Sequence, residues 1–451
     1  MSLSANTVVE VRTTGSDTNG GGFVTGASGT DWSQQDSPQY SVTDGVANGT
    51  TTLTSASANF GTDVVGNLVY VQGGTGSITA GWYQITSRTS STAIVVDRST
   101  GLTSGTGVTL KVGGALATPG QAMGIVDGIN GTKVWLKSGT YTLTTSSANV
   151  AGGKLSMTAG TLLEGYGSTR GDLGTAPVIS AGSVAGITIV AMSGSSFYGQ
   201  VRPGLINVTL NGNSGTSNNG LSDTATYGAY LVKVTAQNCP GTGLTIGAFA
   251  FACKASSCGT GFSVTSGKLV ACRATGCSGN GITISAGAAI KCIADANTGK
   301  GFSIQYTPVM SHCVAHGNTS DGFYTGTYDM NSFDSCVATS NGGYGFANGS
   351  YGFSVFTSCA GYGNTSGTFQ TTPVRHINPI TLTGDPWSNA SGGDFRPNNT
   401  SGAGAALRAA GMGVADQTDA NDVGAVQHAD PAGLAGPVIG SPIIRGLGRV
   451  A

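Results

Sequence analysis

Lys268-Leu-Val-Ala-Cys-Arg-Ala-Thr-Gly-Cys-Ser-Gly-Asn-Gly-Ile-Thr-Ile-Ser285 holds two short runs of alternating apolar and polar residues, separated by a turn rich in Gly, Cys, Ser and Asn. The same plan returns one unit later as Ala288-Ala-Ile-Lys-Cys-Ile-Ala-Asp-Ala-Asn-Thr-Gly-Lys-Gly-Phe-Ser-Ile304. Alternation with period two marks a strand with one buried face, and clustered Gly, Asn and Ser mark turns. Working outward, Cys253, Cys272, Cys292, Cys313, Cys336 and Cys359 are separated by 19, 20, 21, 23 and 23 residues, and Val234 holds the same position 19 residues upstream. Five residues after each stands Cys239, Cys258, Cys277, Asn297, Asn318, Asn341 or Asn364. Four or five residues further come Leu244, Phe262, Ile282, Phe302, Phe323, Phe346 and Phe369, most of them preceded by Gly.

A unit this small cannot bury its own apolar face, but stacking on a neighbour can bury it, so a drifting period of 19 to 23 residues predicts one coil of a solenoid. Successive coils then lie ~4.8 Å apart as parallel strands, with like residues above like: a cysteine column, an Asn ladder at a bend and an aromatic stack inside. C-x4-C repeated along a rod gives parallel columns and not converging ligands, so no metal or other cofactor is expected, and the nine cysteines read as free buried thiols.

A second signature lies upstream. Val134-Trp-Leu-Lys-Ser-Gly-Thr-Tyr-Thr-Leu143 followed by Thr161-Leu-Leu-Glu-Gly-Tyr-Gly-Ser168 resembles the opening of right-handed parallel β-helices of the pectate-lyase-like family. The resemblance spans roughly residues 115 to 370 and implies an all-β fold, a right-handed parallel β-helix of roughly eleven coils, ~50 Å long. It does not imply an activity, because the fold carries lyases, hydrolases and inert fibres alike. Thr118-Pro-Gly-Gln-Ala-Met-Gly-Ile-Val-Asp-Gly-Ile129 has the N-terminal signal and apolar spacing of a short helix, expected to cap the first coil and protect its open edge.

The chain divides by composition into an opening strand and linker at 1–40, a small inserted β domain at 41–114, the parallel β-helix at 115–371 and a non-repetitive C-terminal cap and tail at 372–451. Val8 to Phe23 is similar to the segment that opens many β-helix proteins. The insertion alternates strands such as Asn67-Leu-Val-Tyr-Val71 and Ala93-Ile-Val-Val-Asp97 with Gly-rich turns. Gly393-Asp-Phe-Arg-Pro397 and Ala405-Ala-Leu-Arg-Ala-Ala-Gly411 resemble the closing segment of many extracellular β-helix proteins and are expected to cover the last coil. Beyond them Pro437-Val-Ile-Gly-Ser-Pro-Ile-Ile-Arg-Gly-Leu-Gly-Arg-Val450 is apolar and too punctuated for a helix, reading either as a tail packed along the rod or as a strap on a neighbouring subunit.

Composition narrows the function. Of 451 residues 76 are Gly, and only 9% are charged, which suits many turns and short strands and excludes an ordinary helical enzyme. A net charge of −1 lacks the electrostatic drive of a nucleic-acid or anionic-membrane binder, and no apolar run is long enough to span a bilayer. The first residues carry no basic and apolar leader, so no export signal is expected.

Catalysis on a β-helix needs clustered carboxylates, yet the chain has only two glutamates, Glu10 and Glu164, and its aspartates are scattered. Repeat alignment puts Asp295 and His316 three residues after their column cysteines, one above the other, which suits either acid–base work or plain structure. Asp321 aligns with Lys300 as an opposite-charge pair between stacked strands, and Glu164 follows a strand within the opening motif, a further candidate catalytic acid at a place where most residues serve the turn. Aromatic residues give the better hint of a ligand surface. Tyr306, Tyr324, Tyr328, Tyr344, Tyr351 and Tyr362 crowd the last coils, and tyrosines on a rigid polar face suit stacking against sugar rings.

A low-charge rigid rod with appended modules and no export signal looks like a bacteriophage virion protein, similar to tailspikes, tail fibres or head-decorating fibres. That resemblance implies a homotrimer, other virion proteins as neighbours, a host-surface polysaccharide as ligand, and a virion location after synthesis in host cytoplasm. The rival readings are a polysaccharide lyase or glycoside hydrolase using Asp295, His316 and Asp321, and a secreted bacterial adhesin or surface protein.

Overall fold

The structure is a computed structural model that describes residues 3–408 except 102–103, 127–128, 130, 159, 194–201, 226–227, 307, 327–329, 350–352 and 371–373, together with 410 and 425–426. Three long sheets run along one axis. Sheet A has 13 strands, beginning with the antiparallel pair Gly22–Val24 and Thr7–Val11 and continuing in parallel from Lys133–Lys137 to Val374–Ile377. Sheet B has 11 strands from Thr140–Thr142 to Ile380–Thr381, and sheet C has 11 from Thr145–Ala148 to Gly367–Phe369. The chain visits A, B and C in turn and repeats, giving a right-handed parallel β-helix.

The columns read from the repeat are physical ones. Cys292 and Cys313 lie at the A-to-B bend on adjacent rungs, flanked by the registers Ile290↔Ser311 and Ile293↔Val314, and both are fully buried. Each Sγ–H donates to the carbonyl two residues back, Ile290 or Ser311, at 3.4 Å. All nine cysteines are free and buried, and burial pushes the thiols of Cys253, Cys292, Cys313 and Cys336 well above their ordinary range.

At the B-to-C bend Asn297, Asn318, Asn341 and Asn364 bond rung to rung, Nδ2 to Oδ1, at 2.9, 2.9 and 2.8 Å. Inside, Phe302, Phe323, Phe346 and Phe369 stack with ring centroids 4.7, 4.9 and 5.1 Å apart. A second stack on sheet A, Phe333 on Phe356 at 4.7 Å, meets the first edge-on. The bends themselves take one left-handed residue each, such as Ala271, Lys291 and His312 before the cysteine column.

Residues 40–112 form a closed antiparallel barrel of six strands in the order Tyr40–Asn48, Thr52–Thr54, Ala93–Val96, Gly81–Ser90, Leu68–Gln72, Ser104–Val112, around Phe60, Tyr83, Ile85 and Ile94. The strand Thr7–Val11 is already part of sheet A, so the chain starts the rod, leaves it to build the barrel and returns. Helix Pro119–Val126 then closes the end of the rod, burying Met123, Ile125 and Val126, with the Thr118 hydroxyl accepting from Gln121 N.

The C-terminal cap differs from the expectation that it covers the last coil. Hairpin Trp387–Asn389 with Asp394–Pro397 and the short helix Gly404–Leu407 lie against the outer side of sheet B, where Leu382, Trp387, Phe395 and Leu407 cover Val314, Val337 and Ala360. The reason is local. On these rungs the outward position next to the cysteine is apolar, so the side of the rod needs a cover.

Candidate functional site

Asp295 and His316 do stand in one outward column of sheet B, in the order Thr275, Asp295, His316, Thr339, Tyr362. Their partners lie elsewhere. Asp295, 6% exposed, accepts from Arg273 Nε and Nη2 at 2.8 and 2.9 Å and from the Thr275 hydroxyl at 2.8 Å. His316 Nδ1 pairs with the Thr339 hydroxyl at 2.9 Å, and its ring meets Phe395 of the cap edge-on at 5.3 Å. Burial pushes the His316 imidazole below its ordinary range, opposed by the charges of Asp385 and Asp295.

The cap completes this arrangement. Trp387 Nε1 donates to the Thr339 hydroxyl at 2.8 Å, the Arg273 guanidinium lies 5.5 Å from the Phe395 ring, and Arg273 Nη1 reaches the Gly393 carbonyl at 3.4 Å. A carboxylate saturated by a bidentate guanidinium and a histidine under a hairpin are arranged to hold the cap. Arg273, Thr339, Trp387 and Phe395 were not singled out from sequence. Arg273 and Thr339 were accessible to the repeat alignment, one residue after Cys272 and three after Cys336.

Asp321 and Lys300 share a rung position without closing an ion pair. Lys300 Nζ instead lies 3.0 Å from the centroid of the Tyr324 ring, a cation–π contact, while Asp321 Oδ1 accepts from Tyr344 N at 2.8 Å. The expected direct pair is replaced because the long lysine side chain crosses to the outward ring.

The tyrosines separate onto two sides of the rod. Tyr324 is on the outer face of sheet C, in register with Ser303, and Tyr306 follows the strand Phe302–Ile304 and is 65% exposed. Tyr344 opens the sheet C strand above Asp321. Tyr362 is on sheet B and packs against the cap cluster, so it is not part of an open face with the others. Tyr328 and Tyr351 fall outside the described residues.

Glu164 is 8% exposed and ion-paired to Lys133 Nζ at 2.7 Å, and that ammonium sits 3.6 Å from the Trp135 ring. On the other side of Trp135 is Glu10, fully buried, which accepts from Arg12 Nε at 2.9 Å, Arg170 Nε at 2.7 Å and the Tyr166 hydroxyl. Arg170 continues to Asp31 Oδ2 at 2.7 Å and Ser33 Oγ at 2.9 Å. This network, also unforeseen from sequence, ties the opening strand and the residues before the barrel to the first coils. Asp172 pins a turn, accepting from the main-chain N–H groups of Gly167, Ser168, Thr169 and Gly174, which hold its carboxyl well below the usual range. Among the described residues no three His, Cys, Asp or Glu side chains are grouped to hold a metal ion, and no helix is long and apolar enough to cross a membrane.

No protein-family model and no curated protein matches this chain. Solved structures do. Pectate lyase Pel9A matches with a TM-score of 0.46 and 16% identity over 70% of this chain and 92% of its own. The A-module of the Azotobacter vinelandii mannuronan C-5 epimerase AlgE6 gives 0.38 and 12% over 54% and 89%, and the Dettilon tailspike protein 0.37 and 11% over 55% and 62%. At these identities the likeness concerns the fold alone, which the sheet order already establishes.

Proposed function

We propose that this chain is a structural rod of a bacteriophage virion, assembled as a homotrimer beside other virion proteins, and that it binds a host-surface glycan on the outer face of sheet C. The observation that carries the reading is the outward Tyr324 at the end of a hydroxyl column, Thr245, Ser263, Thr283 and Ser303, with the exposed Tyr306 two residues beyond the neighbouring strand Phe302–Ile304. The exposed Tyr306 ring, the face of Tyr324 opposite Lys300, and hydroxyls that exchange hydrogen bonds without charge suit a polysaccharide. The commitment of Glu10, Glu164 and Asp295 to arginine or lysine partners supports a binding role over a hydrolytic one.

Purified protein incubated with capsular polysaccharide of the host tests this. Binding reduced about tenfold or more in Tyr324→Ala and Tyr306→Ala, with the polymer length unchanged, is the expected result. Chain shortening that disappears in Asp295→Ala would establish the lyase or hydrolase reading instead. Light scattering is expected to give three times the chain mass, and a monomer would remove the virion assembly.

A further inference from the structure

We propose that the first strand of sheet B, Thr140–Thr142, receives an extended segment of another polypeptide as an added strand. The starting edges of the three sheets are not treated alike. On sheet A the opening strand Thr7–Val11 and its partner Gly22–Val24 extend the sheet, and Phe23 bridges to Asn67 of the barrel region. At the start of sheet C the helix Pro119–Val126 packs on the turn 149–153, so closely that a Cβ on Gly120 or Gly124 would collide with the Val150 or Asn149 carbonyl oxygen. Thr140–Thr142 pairs on one side only, with Val178–Ser180. Register shows which main-chain groups are left over. Val178 N donates to the Gly139 carbonyl and Leu143 N to the Ser180 carbonyl, each at 2.8 Å. In a parallel ladder the N–H and C=O of one residue serve the same neighbour, so Gly139, Tyr141 and Leu143 face Val178–Ser180, and the groups of Thr140 and Thr142 point away from it. Among the described residues these four groups make no hydrogen bond.

The strand lines a pocket of about 140 Å³ whose other walls are Thr13, Ala117, Thr118, Pro119, Gly152 and Gly153. Folded proteins usually cover such an edge, charge it or break it with proline. Here Thr140 and Thr142 are exposed, the strand Thr-Tyr-Thr has strong β preference, and no charged side chain lines the pocket. The recess decides the occupant. A strand that is already part of a folded sheet, including the same edge of a second copy, cannot enter between Thr13, Pro119 and Gly152, whereas a free extended segment can. Two N–H and C=O pairs set two residues apart, ~6.6 Å, match the main chain of such a segment, which presents its own pairs at the same spacing. A sugar ring offers no such alternating row. The small volume and the lack of charge restrict the segment to small, uncharged side chains. The site belongs to the first coil, while Tyr306 and Tyr324 belong to late ones, so it stands apart from glycan binding.

The test uses the full chain and a fluorescein-labelled five-residue peptide alternating threonine and alanine. Its anisotropy is expected to rise on binding, and the same peptide N-methylated throughout should bind about tenfold or more weakly, because it cannot donate to the edge. Hydrogen exchange at the Thr140 and Thr142 amides, fast in the free chain, should slow when the peptide is added. Thr142→Pro removes one edge N–H and should weaken binding about tenfold, while Thr142→Val, which loses only the hydroxyl, should bind like the parent; both should keep the far-ultraviolet dichroism of the rod. The methylated peptide reads the same pairing without altering the fold. No binding, equal binding of the methylated peptide, or slow exchange of both amides in the free chain would overturn the proposal. Weakening in Thr142→Val together with displacement of the peptide by glucose would assign the pocket to a sugar instead. Self-association abolished by Thr142→Pro would assign the edge to a second copy. Tighter peptide binding by a chain ending at Val426 would assign it to the chain's own tail, whose residues 437–450 lie outside the described ones. Each of these three results would overturn the proposal as well.

Discussion

Asn318 Nδ2 donates to Asn341 Oδ1 at 2.9 Å across one coil, and that same oxygen accepts the main-chain N–H of Asn318 at 3.1 Å. The second Nδ2 hydrogen reaches the Ala294 carbonyl at 3.0 Å, while Asn318 Oδ1 accepts from Asn297 N and Nδ2. Each amide thus satisfies a bend that would otherwise bury unpaired main-chain groups. Asn318→Ala leaves Asn297 N–H and the Ala294 carbonyl without these partners and is expected to cost about 1–3 kcal/mol. Asn364→Ala, at the half-buried end of the ladder, should cost less. Urea denaturation measures both, and equal losses would show that the ladder does not act as a buried network.

Gly276 and Ala296 occupy the same bend position on adjacent rungs, with φ of 62° and 54°. A Cβ on Gly276 would meet no heavy atom within 4 Å, so substitution there isolates backbone strain from crowding. Gly276→Ala is expected to destabilise by about 1 kcal/mol, the cost of a left-handed L-residue. Ala296→Gly should relieve strain and stabilise by less, since glycine loses more chain entropy on folding. Shifts of denaturation midpoint in the same direction for both would contradict this.

The phase of the repeat made the cysteine, asparagine and phenylalanine columns readable, because each residue's partner lies a nearly fixed step away. For Phe302 and Phe323 that step is 21 residues, and the rings stack at 4.7 Å. The Phe333 and Phe356 stack is in phase too, each residue three before its cysteine, Cys336 or Cys359, but the same position holds Leu269, Ala289 and Met310 on earlier rungs, so no repeated residue type marks that column in the sequence. Tyr362 was grouped with Tyr324 by closeness in sequence, although its phase, three residues after Cys359, places it with Asp295 and His316 on sheet B. Arg273 and Gly393 touch across 120 residues, a contact no local pattern encodes.

His312, His316 and His376 are each pushed below the ordinary imidazole value of 6.5, and burial is the leading cause for all three. The unfolded chain therefore binds protons that the folded chain refuses. Their contribution to stability is complete above about pH 6.5 and is lost as the pH falls through the lower folded values. At His312 the Asp334 charge opposes burial and Lys291 adds to it, while at His316 Asp385 and Asp295 oppose it. The melting temperature is expected to fall between about pH 7.5 and pH 5, with a smaller fall in His316→Gln. A melting temperature constant over that interval would mean these imidazoles titrate alike in both states.

Arg273 and Asp295 bear unequally on the cap, because the guanidinium side chain is 31% exposed and the carboxylate only 8%. Removing the cation strands a buried carboxylate with the Thr275 hydroxyl as its remaining partner, and breaking buried pairs in this way costs about 3–5 kcal/mol, the lower end applying where one partner reaches water. Removing the carboxylate leaves a guanidinium that can turn to solvent while keeping its contact with Phe395. Arg273→Met is therefore expected to destabilise the protein by about 3 kcal/mol and Asp295→Ala by clearly less, with the double substitution milder than the sum of the two. Denaturant titration followed by tryptophan emission, which includes Trp387 of the cap, reads the order directly. Were Asp295→Ala the more damaging change, the carboxylate would have a role beyond anchoring Arg273, and the acid–base reading of Asp295 with His316 would regain support.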